Sequence, residues 1–309
     1  MRWKVQRIPL EQERVVRVTQ SSSALAQAPI GVIDSGVGGL TILVELLRAL
    51  PDERYIYYGD TGNCPYGVRP KTEIQRLAQN AAQLLLSHQA KLIVVACNAA
   101  TVSAISVLRA RFPEVEFVGV VPAVKPAAER SRSGKIGVAS TEASARSDFL
   151  RQLIEQHAGG VEVLAVGCPR LVLLAEAGHL EGPEVEAVIR EYIQPMLDAG
   201  IDTLVLGCTH FPAMRAAFQQ VAGPDIEIID SGEAIARRTR FLLTKHQMLA
   251  APGQETVGNM PRALTSNDEF WCSGEADHFG RVAEMILHQP VRARQAPGML
   301  IESGEAVKA

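Results

Sequence analysis

The stretch LIVVACNAAT, residues 92–101, contains the pattern that decides the fold. Its first five residues are continuously apolar and rich in β-branched side chains, which is typical of a strand buried on both faces of a parallel sheet. Cys97 follows directly, and the residues after it favour a helix. A second segment, LVLGCTH at 204–210, has the same order, with Cys208 placed directly after a short strand. The repetition indicates two half-molecules built in the same way.

Short apolar runs alternate with longer helix-like segments along most of the chain. This alternation is typical of βαβ units, so the sequence predicts a doubly wound α/β fold around mainly parallel sheets. Helices are predicted at 71–89 and 184–199. The predicted strands are 30–33, 54–58, 92–96, 116–120, 135–139, 162–166, 203–206 and 227–229. At 309 residues, the chain has the length expected for two α/β lobes.

The charge of the chain is nearly balanced, with 31 basic and 34 acidic residues and a formal net charge of -3. This balance disfavours nucleic acid and anionic membranes as partners and favours a small molecule. The first 23 residues lack the continuous apolar segment of a secretory signal. The longest uncharged run, residues 92–108, is too polar and too short to span a bilayer. We therefore expect a cytoplasmic protein.

Five cysteines are dispersed along the sequence without any CxxC pair. This spacing disfavours both a disulfide framework and a zinc knuckle, so no metal site is predicted and the thiols are expected to be reduced. Cys64 and Cys168 each precede a proline, which we interpret as placing them away from helix N-termini, and Cys272 lies in a strand-like segment. We interpret these three cysteines as structural.

Cys97 and Cys208 are instead predicted to lie where the carboxyl end of a strand meets a helix N-terminus, the edge at which open α/β sheets bind ligands. Helix N-terminal amides stabilise anions, so each thiol is expected to have a pKa below the free value of about 8.5 and to act as a base. Buried cysteine is also a common small core residue. The matched placement of two cysteines favours the functional interpretation.

Polar residues next to these segments are candidates for the same site. His210 lies two residues after Cys208 and is predicted to tune its thiol or relay a proton, although a histidine near a loop is often only a structural hydrogen-bonding group. Thr209 fits a helix N-cap. Asp34 ends the first predicted strand, where it either caps the next helix or orients a nearby base.

Two glycine-rich turns follow the first two predicted strands. The loop 58–67 is predicted to close over a pocket, with the Tyr66 hydroxyl and the Gly67 amide as candidate contacts. The turn 34–41 is predicted to present backbone amides to an anion, but it lacks the third glycine and the GK[ST] sequence of nucleotide-binding loops. A carboxylate-bearing substrate would suit this turn.

Five motifs occur in order along the chain: IGVIDSGVGGL, YYGDTGNCPYG, VVACNAAT, GVVPAVKPA and VLGCTHFP. Together they resemble the bacterial glutamate racemases, and the resemblance extends from about residue 29 to about residue 290. It implies an enzyme without a cofactor, in which two pseudo-symmetric α/β lobes, each a mainly parallel sheet flanked by helices, close over an active site between them. The expected lobes are 29–119 plus 231–290 and 120–230. No regular structure is predicted for the N-terminal extension, 1–28, or the C-terminal tail, 291–309.

The resemblance also implies roles for individual residues. Cys97 would act on D-glutamate with help from Asp34, and Cys208 would act on L-glutamate with help from His210. Glu176 matches a family glutamate near the second cysteine, and its alternative interpretation is a solvated helix residue. The expected substrate contacts are Asp34, Ser35, Tyr66, Gly67, Asn98, Ala99, Thr209 and His210.

One position departs from the family pattern, and several alternatives stay open. Ala99 replaces a threonine, and Thr101 is a candidate source of the missing hydroxyl. Further expectations from the resemblance are a homodimer, activation by a uridine-nucleotide-linked muramyl alanine precursor, and a supply of D-glutamate for peptidoglycan synthesis. The alternatives are an aspartate or related racemase of the same superfamily, a non-catalytic gyrase-binding protein, and zinc binding by cysteine and histidine. The joint presence of the two cysteines with Asp34 and His210 disfavours the binding protein, and the lack of a CxxC pair disfavours zinc.

Overall fold

The computed structural model describes residues 22–252 and 260–296. Within these ranges, ten strands form two sheets, and all neighbouring strands are parallel. The strands are β1 (Ile30–Asp34), β2 (Tyr55–Gly59), β3 (Leu92–Val95), β4 (Glu116–Gly119), β5 (Lys135–Ser140), β6 (Glu162–Gly167), β7 (Thr203–Leu206), β8 (Glu227–Ile229), β9 (Glu269–Cys272) and β10 (Ala293–Gln295). The six-stranded sheet has the order β10-β9-β2-β1-β3-β4, and the four-stranded sheet has the order β6-β5-β7-β8.

Helices connect the strands and cover both faces of each sheet. None of them, in the part of the chain that the structure describes, combines the length and the apolar character needed to cross a membrane. Three short 3₁₀ helices cover Thr61–Asn63, Tyr66–Val68 and Phe211–Met214. The α-helices are α1 (Ser22–Gln27), α2 (Leu40–Ala49), α3 (Lys71–Ser87), α4 (Asn98–Arg111), α5 (Val124–Arg130), α6 (Glu142–Ala145), α7 (Asp148–His157), α8 (Pro169–Glu176), α9 (Pro183–Asp198), α10 (Arg215–Ala222), α11 (Gly232–Lys245) and α12 (Ala276–Leu287).

The two sheets share one topology. In the larger sheet, the first strand lies between the second and the third, and the fourth follows the third; β5 to β8 repeat this order in the smaller sheet. The predicted pseudo-symmetry is therefore confirmed. Cys97 and Cys208 both follow the third strand of their repeat, at the crevice next to the first strand, where strand order reverses and α/β sheets bind ligands.

Apolar cores fill both faces of each sheet. In the six-stranded sheet, α2, α11 and α12 cover one face and α3 and α4 cover the other. In the four-stranded sheet, α8, α9 and α10 cover one face and α5 and α7 the other. Because α11, α12, β9 and β10 follow the smaller sheet in sequence, the chain returns to complete the larger one.

Each of the eight predicted strands is present, and its ends differ from the prediction by at most one residue. The prediction that the two chain ends have no regular structure is wrong in part. Residues Ser22–Gln27 form α1, and the carbonyl of Ala26 accepts a hydrogen bond from the Lys91 ammonium at 2.6 Å. Residues Ala293–Gln295 form the edge strand β10, whose sequence ARQ has no apolar pattern to reveal it. The rest of both predicted ends, 1–21 and 297–309, lies outside the described residues.

Candidate active site

Asp34 ends β1 in the interior of the six-stranded sheet and is fully buried. One carboxylate oxygen accepts a hydrogen bond from the Gly36 amide at 2.8 Å, and the other accepts one from the Thr209 hydroxyl at 3.2 Å. Burial raises the pKa of Asp34 to about 6, although the nearby His210 partly offsets this. Since Thr209 follows β7, Asp34 connects the carboxyl edges of the two sheets.

Cys97 is the N-cap of α4, as its sequence predicts. Its sulfur accepts a hydrogen bond from the Ala100 amide at 3.5 Å and lies 3.7 Å from the hydroxyl oxygen of Ser35. The predicted depression of its pKa is wrong. Burial raises the pKa of the Cys97 thiol to about 12, and the Asp34 carboxylate adds to this rise. The amide and the hydroxyl stabilise the thiolate, but they do not offset its loss of hydration.

Cys208 follows β7 and Gly207 and is also buried. The predicted helix N-terminus at this cysteine is wrong. The chain turns through Thr209 and His210 into the 3₁₀ helix Phe211–Met214, and α10 begins only at Arg215. The Cys208 sulfur instead lies 3.6 Å from Nδ1 of His210. An imidazole therefore takes the place that helix amides occupy at Cys97.

His210 and Glu176 form a buried ion pair. Nε2 of His210 lies 2.5 Å from Oε1 of Glu176, which also accepts a hydrogen bond from the Val37 amide at 2.9 Å. Burial lowers the pKa of His210, but hydrogen bonds to Cys208, Cys64 and Glu176 raise it well above its ordinary value. Burial raises the pKa of Glu176, but its contacts with His210 and Val37 bring it below the ordinary value. The pair is charged, so the interpretation of Glu176 as a solvated helix residue is wrong.

The glycine-rich turn after β1 makes room for this pair. A Cβ atom on Gly36 would lie 1.9 Å from a carboxylate oxygen of Glu176, and one on Gly38 would lie 2.6 Å from Nδ1 of His210. Two amides of the turn, Gly36 and Val37, donate to the carboxylates of Asp34 and Glu176. These glycines therefore admit side chains of the protein itself, and these two amides bind its own carboxylates.

The two cysteines line one narrow cavity between the sheets. Seven of the eight predicted substrate-binding residues, including His210, line this cavity. The eighth, Asp34, is not part of its lining. Pro65, Thr141 and Val172 also line the cavity and were missed by sequence reasoning. Thr141 had a usable signal, because it follows β5 as Ser35 follows β1. The complete lining is Ser35, Pro65, Tyr66, Gly67, Cys97, Asn98, Ala99, Thr141, Val172, Cys208, Thr209 and His210.

Two polar side chains on the cavity wall differ in whether they have hydrogen-bond partners within the protein. The Tyr66 hydroxyl donates a hydrogen bond to Asp60 at 2.6 Å, so it is engaged within the protein and is not a free contact. The side-chain nitrogen of Asn98 is buried and has no hydrogen-bond partner among the described residues. An unsatisfied buried donor costs free energy, so Asn98 is placed to bind an acceptor in the cavity.

The hydroxyl missing at Ala99 is not replaced by Thr101. Ala99 is buried on the cavity wall. The Thr101 hydroxyl donates to the carbonyl of Val95 at 3.2 Å and accepts from the amide of Val120 at 3.1 Å. Thr101 therefore ties α4 to β3 and to the residue after β4, and the cavity has one fewer hydroxyl than the family pattern implies.

The remaining cysteines have different environments. Cys168 is the N-cap of α8, so its predicted separation from helix N-termini is wrong; proline is well suited to the first helical position that follows. Cys168 and Cys272 are buried within apolar cores, as structural cysteines are. Cys64 differs, because its sulfur lies 4.0 Å from the Ser35 hydroxyl and close to both His210 and Glu176. The interpretation of Cys64 as a structural cysteine did not anticipate this position, which follows because the loop carrying it folds over the cavity edge.

Comparison with known sequences gives consistent results. Residues 30–239 match the family described as Asp/Glu/Hydantoin racemase. The glutamate racemase of Roseiflexus sp. is 45% identical over 268 residues, which cover 87% of this chain and 95% of the relative. The glutamate racemase of Herpetosiphon aurantiacus is 42% identical over 258 residues, which cover 84% of this chain and 97% of the relative.

Two solved structures are similar over most of both chains. The Escherichia coli glutamate racemase in complex with L-glutamate and the activator UDP-MurNAc-Ala has 32% identity and a TM-score of 0.73, covering 86% of this chain and 97% of that one. The Francisella tularensis glutamate racemase in complex with D-glutamate has 28% identity and a TM-score of 0.72, covering 90% of this chain and 100% of that one.

Proposed function

The chain belongs to the Asp/Glu/hydantoin racemase family, and we propose that it interconverts L-glutamate and D-glutamate without a cofactor. The observation that carries this proposal is the convergence of Cys97 and Cys208, from corresponding positions of two sheets, on one cavity. The relatives with 42% and 45% identity are glutamate racemases, which favours glutamate over aspartate as the substrate.

Racemisation requires proton transfer on both faces of the α-carbon. One cysteine thiolate removes the α-proton, and the electron pair of the broken C–H bond moves into the α-carboxylate. The opposite thiol then donates its proton to the other face and becomes a thiolate. The reverse reaction exchanges the two roles. From the resemblance to the glutamate racemases, we assign Cys208 to L-glutamate and Cys97 to D-glutamate.

Each thiol has its own electrostatic partner. The Asp34 carboxylate disfavours the Cys97 thiolate, which makes that thiolate a stronger base once it forms. The His210 imidazolium, held by Glu176, places Nδ1 3.6 Å from the Cys208 sulfur. These contacts support Asp34, His210 and Glu176 as residues that tune the two acid–base groups.

The cavity wall supplies donors suited to a dicarboxylate. We assign the α-carboxylate and the side-chain carboxylate of glutamate to the side-chain amide of Asn98, the Ser35 hydroxyl and the Gly67 amide. Thr209 and Thr141 are further wall contacts, but their hydroxyls already donate to Asp34 and Ser144. Negative charge develops on the α-carboxylate as the proton leaves, so preorganised donors at that group lower the barrier.

We further propose that the product supplies D-glutamate for peptidoglycan synthesis in the cytoplasm. The proposed lobes are 29–119 plus 231–290, extended to include β10, and 120–230.

A homodimer is the proposed assembly, and a monomer by light scattering at working concentrations would contradict it. UDP-MurNAc-Ala, the activator in the E. coli structure, is the proposed activator here. Turnover that is insensitive to this compound, in both the full chain and a variant lacking residues 1–21, would contradict activation.

The direct test is chiral chromatography of purified, reduced protein that has been freed of any pyridoxal phosphate. The protein is incubated separately with L-glutamate, D-glutamate and L-aspartate. Conversion of both glutamate enantiomers, and not of aspartate, is the expected result. Conversion of aspartate alone would replace the proposed substrate. No conversion, with or without UDP-MurNAc-Ala, would favour a non-catalytic binding protein.

A further inference from the structure

Cys64 is a third thiol at the edge of the cavity, and the proposed reaction does not use it. Its sulfur, a ring nitrogen of His210 and a carboxylate oxygen of Glu176 all lie within 4.8 Å of one another. Cys64 is half-buried, and the Glu176 side chain is 18% exposed. The cluster therefore lies close to the surface, within reach of a small ion from solvent.

The three groups offer the donor types that zinc binds in proteins. Thiolate sulfur, imidazole nitrogen and carboxylate oxygen bind Zn²⁺ at about 2.3, 2.1 and 2.1 Å, with tetrahedral geometry. Ligand atoms in such a tetrahedron lie roughly 3.3–3.7 Å apart. The Glu176 and His210 atoms, now 2.5 Å apart, would separate by about one ångström, and the sulfur, now within 4.8 Å of both groups, would lie about 3.6 Å from each.

We propose that Cys64, His210 and Glu176 form an inhibitory zinc site. A zinc ion bonded to one ring nitrogen prevents His210 from carrying a proton there, and it draws Glu176 away from its present hydrogen bond. The thiol of Cys64 releases its proton to solvent as the zinc–sulfur bond forms, and no oxidation is involved. With three protein ligands, the ion keeps a fourth position for water.

Inhibition follows from the place of His210 in the site. Nδ1 of His210 lies 3.6 Å from the Cys208 sulfur, so a metal-bound imidazole can no longer adjust its charge to that thiol. This part of the inference rests on the proposed racemase activity, whereas zinc binding itself does not. The two are therefore measured separately.

Zinc affinity is measured by competition with a chromophoric chelator, using the full chain under a reductant that does not bind zinc. We expect one zinc per wild-type chain. Removing one of three ligands in Cys64→Ala should weaken binding by at least about tenfold. Cys168→Ala is the matched control, because it also removes one thiol but lies outside the cluster, and it should keep the wild-type affinity.

Two further measurements identify the ligand and the effect. Cobalt(II), used in place of zinc, should show a thiolate-to-cobalt charge-transfer band in the wild type and Cys168→Ala but not in Cys64→Ala. Zinc should inhibit racemisation in the wild type at concentrations at which Cys64→Ala, relative to its own metal-free rate, is at least about tenfold less sensitive.

Several results would overturn the inference. Absence of zinc binding to the wild type at micromolar zinc, or equal affinity in Cys64→Ala, would remove the site. Equal sensitivity of the two proteins to zinc would assign inhibition to Cys97 or Cys208 instead. Zinc bound through Cys64 without loss of turnover would refute the inhibitory role. If the chain has no racemase activity at all, the affinity and cobalt measurements still test the site.

Discussion

The halves of the site around Cys97 and Cys208 share a topology but differ in their electrostatics. Both cysteines follow the third strand of a sheet with the same strand order. Cys97 begins a fourteen-residue helix and receives an amide hydrogen bond from its first turn. Cys208 is followed by a turn and a 3₁₀ helix, and an imidazole contacts its sulfur. Two chemically equivalent thiols are thus supported by different groups.

The difference shows that the position of a thiol and its acidity have separate origins. Strand order places each sulfur at the crevice between the sheets. Its surroundings then set the charge: burial, with a smaller contribution from the Asp34 carboxylate, raises the pKa of Cys97, whereas an imidazolium paired with Glu176 lies beside Cys208. Changing Asp34 or His210 should therefore act mainly on its own thiol, although the two groups interact electrostatically.

Removing either thiol should have the largest effect. Cys97→Ala and Cys208→Ala should each lower kcat/KM for racemisation by at least about 10³-fold, because each removes the acid–base group on one face. Circular dichroism with each enantiomer as substrate measures the loss. Two-way turnover above a tenth of the wild-type rate in either variant would refute the two-thiol assignment.

His210→Asn should lower kcat/KM by about 10²-fold, since it removes the partner of one thiol but not the thiol itself. L- and D-glutamate have equal free energies, so the loss must be the same in both directions. The deuterium isotope effect distinguishes the halves: it should increase with α-deuterated L-glutamate and not with the D-enantiomer. Glu176→Gln keeps a hydrogen-bonding partner and should show a smaller change of the same kind.

Asp34→Asn should show the opposite isotope pattern, with the larger increase for α-deuterated D-glutamate. An isotope effect that increases only with L-glutamate would mean that Asp34 acts on Cys208. The hydrogen bond from Thr209 to Asp34 would then explain that coupling. The low-pH limb of the activity profile, expected near pH 6 from the Asp34 pKa, should also be absent in this variant.

Asp34 should also make stability depend on pH. Its pKa is raised from 3.8 to about 6, so its contribution to stability is full below about pH 4 and is lost as the pH rises through 6. Relative to the wild type, Asp34→Asn should gain roughly 2–3 kcal/mol in unfolding free energy between pH 4 and pH 7.5. Urea denaturation at both pH values measures the gain, and a constant difference would refute the raised pKa.

Asp202 is a control, because its pKa shift and the resulting pH dependence of stability have the opposite sign to those of Asp34. Its slight burial opposes ionisation, but hydrogen bonds from Ser133, Ser131 and Arg132 lower its pKa to about 2. Its contribution is present above about pH 4 and is lost as the pH falls through 2. Asp202→Asn should therefore destabilise the protein at neutral pH.

Ala99→Thr should have the smallest effect. A hydroxyl added to the cavity wall beside Cys97 should lower the KM for glutamate about two- to tenfold, the range of one net hydrogen bond. Thr101→Val is the comparison: it should leave KM unchanged and destabilise the fold by roughly 0.5–1.5 kcal/mol, because the Thr101 hydrogen bonds to Val95 and Val120 are lost while these two residues stay bonded to each other. An unchanged KM in Ala99→Thr would mean that the substrate does not reach this position.

Much of the fold could be predicted because buried parallel strands have a clear sequence pattern. LIVV at 92–95 and TLVL at 203–206 are short apolar runs bounded by polar residues, and both form strands. The strand β10 and the helix α1 could not be predicted, since ARQ and SSALAQ lack periodic apolar residues. Tertiary contacts place these segments, and such contacts are not encoded in local pattern.

The residues that form the site could largely be predicted, but their pKa values and mutual contacts could not. The resemblance indicated most of the cavity wall, including Ala99 and Asn98. The raised pKa of Cys97 was not predictable, because burial outweighs the helix N-terminus and burial is a property of the folded chain. The proximity of Cys64 to His210 was not predictable for a related reason: only the folded loop brings the two side chains together.

The return of the chain to the larger sheet has a consequence for its synthesis on the ribosome. The four-stranded sheet needs only residues 135–229, so it can form as soon as that continuous segment emerges. The six-stranded sheet cannot be completed until residues 269–272 have emerged and β9 pairs with β2. Until then β2, with the sequence YIYYG, has one unpaired apolar edge, which is a template for aggregation. A nascent chain that stalls before residue 269 would therefore carry a complete smaller sheet and an incomplete larger sheet with an aggregation-prone edge. This exposed edge distinguishes the stalled product from the complete protein.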